Sequence, residues 1–237
     1  MAQSESSYSD RLQRARQIQA AIQGFLPPFA PADSSLAGTA FGAFLDNAEA
    51  ANLAIASKLA DWKDTVSTRS NLLSDIKARV LRASARVKSN PNWAKHVPAV
   101  KAIADKLRGY RTTAPKPPSD SGTEPKAARE KGDQSYADIK NQLDLFNAAL
   151  KKIAGFDTNA PVEITIASLE AVSAQFLALN SLIASNVQAL SATRSARFAL
   201  YDGAEGLSTK LKAIKESAKS QYGTNSSQYN QIKPIRI

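Results

Sequence analysis

Residues 135–150 read SYADIKNQLDLFNAAL and residues 7–22 read SYSDRLQRARQIQAAI, and the pairing of these two phrases decides the fold. Ser7, Tyr8 and Asp10 align with Ser135, Tyr136 and Asp138, and AAI at 20–22 falls on AAL at 148–150. The correspondence continues in order. Gly24, Phe25, Ala30 and Pro31 recur as Gly155, Phe156, Ala160 and Pro161, TRS at 68–70 recurs at 193–195, KS at 88–89 recurs at 219–220, and VKAI at 100–103 matches IKPI at 232–235. Ordered matches of this kind are the mark of an internal repeat. Residues 1–111 and 133–237 are therefore expected to be two copies of one unit. The segment TTAPKPPSDSGTEPKAAREKG at 112–132, rich in Pro, Gly and mixed charge, has no face to pack and reads as the linker between them.

Both copies carry helical periodicity. Tyr136, Ile139, Leu143, Phe146, Leu150 and Ile153 follow steps of three and four, which puts them on one stripe of a helix. The first copy offers Tyr8, Arg11, Ala15, Ile18, Ile22 and Phe25 at the same places. Each of these helices should stop near its Gly-Phe pair, before a proline-containing segment.

A longer pattern follows in each copy. Phe41, Leu45, Ala48, Asn52, Ile55, Leu59, Trp62, Val66, Arg69, Leu73, Ile76, Val80, Ala83 and Val87 form a heptad seam, which a bend or turn could interrupt. The second copy repeats it through Leu169, Val172, Phe176, Leu179, Ile183, Val187, Leu190, Arg194, Phe198 and Tyr201, then meets DGAEG at 202–206, where two glycines favour interruption. Closing helices are expected after Asn90 and Ser226, which have cap chemistry, and VEITI at 162–166 could be briefly extended. The fold class expected is all-α: a duplicated helical bundle with long amphipathic helices.

Hydrophobic content of 43% with 22% charged residues is globular composition. The absence of cysteine excludes disulfides, thiolate metal sites and cysteine nucleophiles together. His96 is the single histidine and has no counterpart in the second copy, so no duplicated base or metal site can be built from it. Without a phosphate loop, a nucleophile elbow or a repeated acid pair, no enzyme, catalytic residue, metal, cofactor or small-molecule substrate is expected. The opening MAQSESSYSD does not read as a leader, and no window is read as the roughly 18 uncharged apolar residues that span a bilayer, so a cytoplasmic protein without a membrane span is expected.

Two sets of arginines stand out. Arg69 and Arg194 share the TRS phrase and fall in apolar seams, where a guanidinium needs acceptors; they are read as register-fixing residues, with a shared anion site as the functional alternative. The net charge of +10 is uneven: residues 7–111 carry 16 basic against 8 acidic side chains, whereas 133–237 carry 11 against 9. The excess includes Lys77, Arg79, Arg82, Arg86, Lys88, Lys95, Lys101, Lys106, Arg108 and Arg111. Arg79, Arg82, Arg86 and Lys88 are the candidate anion-binding residues; the bland reading is a solvated face.

The late segment TRSARFALYDGAEGL…AKSQYGTNSSQYNQIKPI resembles parts of small uncharacterised bacterial helical proteins. That resemblance covers about the last 45 residues, carries no catalytic motif and implies no activity. The function expected is a non-catalytic structural or scaffolding subunit that associates with itself in a homo-oligomer, larger assembly or filament. The alternative is a module that binds nucleic acid or another anionic polymer through its basic first copy.

Overall fold

The computed structural model describes residues 5–109 and 135–236; the expected linker at 112–132 lies outside the described residues. Helices and turns account for the regular structure, with no strand among the described residues. In chain order the helices are α1 (Glu5–Gln23), α2 (Gly38–Ser89), α3 (Val97–Arg108), α4 (Tyr136–Lys151), α5 (Ile166–Asp202), α6 (Leu207–Tyr222) and α7 (Ser227–Ile232). Short 3-10 turns occupy Ser34–Leu36, Pro91–His96 and Val162–Ile164. The last of these replaces the extended segment expected at VEITI. Its bonds run from Ile164 N–H to Pro161 O and from Thr165 N–H to Val162 O, so the β-branched run closes on itself.

The signals at the helix ends act as the sequence suggests. α1 and α4 stop at Gln23 and Lys151, ahead of their Gly-Phe pairs. Ser135 caps α4, its hydroxyl accepting from Asp138 N–H, and Ser226 caps α7 in the same way through Tyr229 N–H. Asn90 accepts from Asn92 N–H at the start of the second 3-10 turn. α3 ends where Gly109 takes φ 84°, which lets its N–H reach back to the carbonyls of Asp105 and Lys106.

α2 runs without a break for 52 residues, although a bend or turn was open to it. α5 runs for 37 and stops at Asp202, inside DGAEG. The glycines there are required by space. A Cβ on Gly203 would lie 2.4 Å from the carbonyl oxygen of Ala199, and one on Gly206 would lie 2.9 Å from backbone atoms of the same turn.

Two compact units result, and each draws on both sides of residues 112–132. Unit 1 comprises Met1–Trp62 with Ser185–Ile237, and unit 2 comprises Lys63–Ala184. Their borders fall inside α2 and α5, whereas the copies read from sequence were divided at the linker.

In unit 1 the stripe of α1 meets Phe41, Leu45 and Ala48 of α2 and Tyr201, Leu207, Leu211 and Ile214 of α5 and α6. Tyr8 meets Tyr201 edge to face, with ring centroids 4.9 Å apart. In unit 2 the stripe of α4 meets Ile76, Val80, Ala83 and Val87 of α2, Val100 and Leu107 of α3, and Leu169 and Phe176 of α5. Each fully buried Phe or Leu contributes about 1.5–3 kcal/mol.

The expected inward line of α5 needs correction at its C-terminal end. Val187 and Phe198 are 49% and 57% exposed, and Arg194 is exposed as well. Leu190, Arg197 and Tyr201 face inward, with Asn186 and Thr193 half-buried. Following apolarity moved the expected line one step outward, because the helix turns polar side chains inward where partners await them.

The expectation about membrane-length windows is also corrected. Residues 171–193 contain no Asp, Glu, Lys or Arg, and the stretch Ile166–Tyr222 includes a window long and apolar enough to cross a membrane. Length and composition alone do not put a helix in a bilayer, since the core helix of a soluble protein meets the same test.

Candidate functional site

Four groups of polar side chains are built into these units. The first is a buried cluster in unit 1. The guanidinium of Arg11, on the stripe of α1, donates to Asp202 at 2.7 and 3.3 Å, to the hydroxyl of Ser208 at 2.6 Å and to the carbonyl of Tyr201 at 3.3 Å. It thereby ties α1 to the end of α5 and the start of α6. Beside it, Arg197 lies 3.9 Å over the ring of Tyr8. Tyr201 is fully buried, and its hydroxyl accepts from the amide of Asn52 at 2.8 Å.

Burial pushes the Tyr201 phenol above its ordinary 10.0, opposed by the Asn52 hydrogen bond and by the charges of Arg11 and Arg197. A raised phenol favours the neutral folded state. The contribution is intact below the unfolded value near 10 and is lost as pH climbs through the folded one. Alkaline denaturation followed by tyrosinate absorbance should therefore show one tyrosine ionising only with unfolding. Tyr201→Phe should remove that late step and lower stability by about 1–3 kcal/mol, because the Asn52 amide loses its acceptor in a buried place.

The second group is in unit 2. Arg69 lies 3.4 Å over the ring of Tyr136 and donates to Asn180 at 3.1 Å. The partner of Arg69 in this arrangement is Arg197: each stacks on the tyrosine of a repeated SY phrase, whereas Arg194 faces solvent. Sequence reasoning paired Arg69 with Arg194 through TRS and missed both Arg197 and Arg11. The available signal was the position of Arg11 on an apolar stripe, the same clue that marked Arg69.

The third group is the basic run. Arg86 donates to the carbonyls of Phe156, Thr158 and Asn159 at 3.0, 2.5 and 3.5 Å, and Arg79 donates to Glu163 O and Ser168 Oγ, both at 2.9 Å. These two side chains fasten the connection between α4 and α5. Arg82 is half exposed, 3.6 Å from Glu163, and Lys88 is exposed. Unit 1 has the corresponding arrangement around its own proline-rich connection. There Tyr222 donates to Pro27 O, Gln221 to Pro28 O and Gln228 to Leu26 O, at 2.7 to 2.8 Å. Gln221, Tyr222 and Gln228 of the late segment are thus loop clamps.

The fourth group lines a cleft of about 340 Å³ between α4 and α5 in unit 2. Lys140, Asp144, Asn147, Lys151, Glu170 and Ser173 contribute its polar wall, and Leu177 stands at its edge. Lys140 pairs with Asp144, which also accepts from Ser173 at 2.8 Å, and Lys151 pairs with Glu170 at 2.5 Å. Among the described residues no three His, Cys, Asp or Glu side chains gather as metal ligands.

No protein-family model matches the chain, and comparisons with curated proteins and with solved structures give no match.

Proposed function

We propose that this chain is a non-catalytic, self-associating helical subunit made of two interleaved copies of one module. The reciprocal stacking of Arg197 on Tyr8 and of Arg69 on Tyr136 supports the duplication, because each tyrosine belongs to one copy and its arginine to the other. At its two ends the buried positions of α2, Phe41, Leu45 and Ala48 and then Ile76, Val80, Ala83 and Val87, keep steps of three and four, which supports heptad-like packing there.

The observation that carries self-association is the uncharged stretch 171–193. Its apolar window is only 22% buried, and Leu177, Leu182 and Val187 are about half exposed. In a protein of net charge +10, a half-exposed helix that carries no charge of its own is where copies can meet with least repulsion. A bilayer is the less favoured cover. Asn180 accepts from Arg69, and Asn186 donates to the carbonyl of Asp61, so this helix would carry charged neighbours with it into hydrocarbon.

Light scattering across a concentration series, at low and at molar salt, tests the reading. Masses above the 25.3 kDa monomer that persist in salt are expected, since apolar contacts are not screened. A monomer at every concentration overturns it. A second reading, an anionic-polymer binder, draws on exposed Lys88, Lys95, Lys101 and Lys106. It demands retention of nucleic acid that weakens steeply as salt rises.

A further inference from the structure

The cleft between α4 and α5 contains a polar group that the fold does not use. Asn147 lines it, only 4% exposed, and its Oδ1 meets no hydrogen-bond donor. It stands between Phe146 and Leu150 on the buried side of α4, where an amide oxygen without a donor works against folding. One shift of 128 earlier, in unit 1, the same place is taken by Gln19. Both ends of that amide are engaged: Oε1 accepts from Arg16 at 3.2 Å and Nε2 donates to Gly38 O at 3.4 Å. Gln19 also fills its own groove, since a Cβ on Gly42 would come within 2.3 Å of its amide nitrogen. In unit 2 the residue at the place of Gly42 is Glu170, and the groove is open.

We propose that this cleft is a binding site for a small zwitterion of free amino-acid size. The walls carry both signs, Lys140 and Lys151 against Asp144 and Glu170. Their pairs are partly exposed and cheap to open, with side-chain exposures of 27% and 47% in one and 55% and 47% in the other. A ligand of a single charge would compete with one member of each pair and strand the other. A zwitterion inserts between them, its carboxylate taking a lysine and its ammonium taking an acid and the Oδ1 of Asn147. The volume of about 340 Å³ is at the small end of ligand pockets. Ala148, Ala174 and Leu177 leave room for a short aliphatic or hydroxyl side chain.

The test is NMR titration of the full ¹⁵N-labelled chain with glycine, L-alanine and L-serine, and with methylammonium chloride and sodium acetate as single-charge controls. Saturable shifts at residues 140–151 and 170–177 are expected with the amino acids and not with the controls. Asn147→Leu should abolish them while raising the melting temperature, because the amide is replaced by a side chain suited to its surroundings. Ala174→Leu, at an exposed helical position, should block the cleft with the fold kept, and serves if the first variant does not fold. Absence of saturable shifts with every amino acid, equal shifts with either control, or unchanged binding in Ala174→Leu overturns the proposal.

Discussion

Arg11→Ala should lower the stability of unit 1 by about 3–5 kcal/mol, the range for removing one partner of a buried ion pair. Natural domains are stable by only about 5–15 kcal/mol, so this loss is a large share of the whole. The side chain of Arg11 is 10% exposed and that of Asp202 is 24% exposed. Without the guanidinium, the Asp202 carboxylate loses its ion-pair partner and the Tyr201 carbonyl loses a donor. Urea denaturation followed by far-ultraviolet circular dichroism measures the change. The double variant Arg11→Met, Asp202→Leu should recover part of it, because two apolar side chains leave no charge unpaired. An effect of Arg11→Ala below about 0.5 kcal/mol, the level of an ordinary surface substitution, would show that the pair does not hold α1 to α5 and α6.

Arg86→Ala should cost about 2–3 kcal/mol in unit 2, in line with charged hydrogen bonds that are partly open to solvent. Arg86→Lys should lose most of the same amount. An ammonium cannot reach the carbonyls of Phe156 and Thr158 in one planar fork, and it stacks less well on Trp93 and Phe156, whose centroids lie 5.8 and 5.7 Å from the guanidinium. Arg82→Ala, four residues away on the same helix, should stay within about 0.5 kcal/mol. The contrast bears on any anion-binding measurement. Weakened retention of nucleic acid in Arg86→Ala would mix lost charge with a loosened loop, whereas reversing Lys88, Lys95, Lys101 and Lys106 changes charge on exposed positions alone.

Helical periodicity, cap residues and the Gly-Phe stops are local, and they were legible in the amino-acid sequence. Ser135, Ser226 and Asn90 meet partners two or three residues away, within the reach of a single turn. What escaped depends on chain that arrives from elsewhere. Arg86 sits in a charge run that reads as a solvated face, but its acceptors are carbonyls 70 to 73 positions further on. Arg197 could be told from Arg194 only by knowing that Tyr8 lies under it, and TRS drew attention to the wrong member. Apolarity misplaced Val187 and Phe198 for the same reason: a helix face is chosen by what packs against it. The cleft left no motif, because Glu170 and Ser173 on its far wall come from a second helix and reach Lys151 and Asp144 across it.

Unit 2 is continuous in the chain, from Lys63 to Ala184, while unit 1 joins two distant stretches. On a ribosome this difference becomes an order of events. Arg11 meets Asp202 across 191 positions, and the loop clamps of Gln221, Tyr222 and Gln228 are translated later still. At about 5–20 residues per second, α1 waits roughly 10–40 s for the helices that cover it. During that wait Ile18, Ile22 and Phe25 have only part of their eventual shelter, and nascent-chain chaperones have their opportunity there, while the interior segment can already have matured.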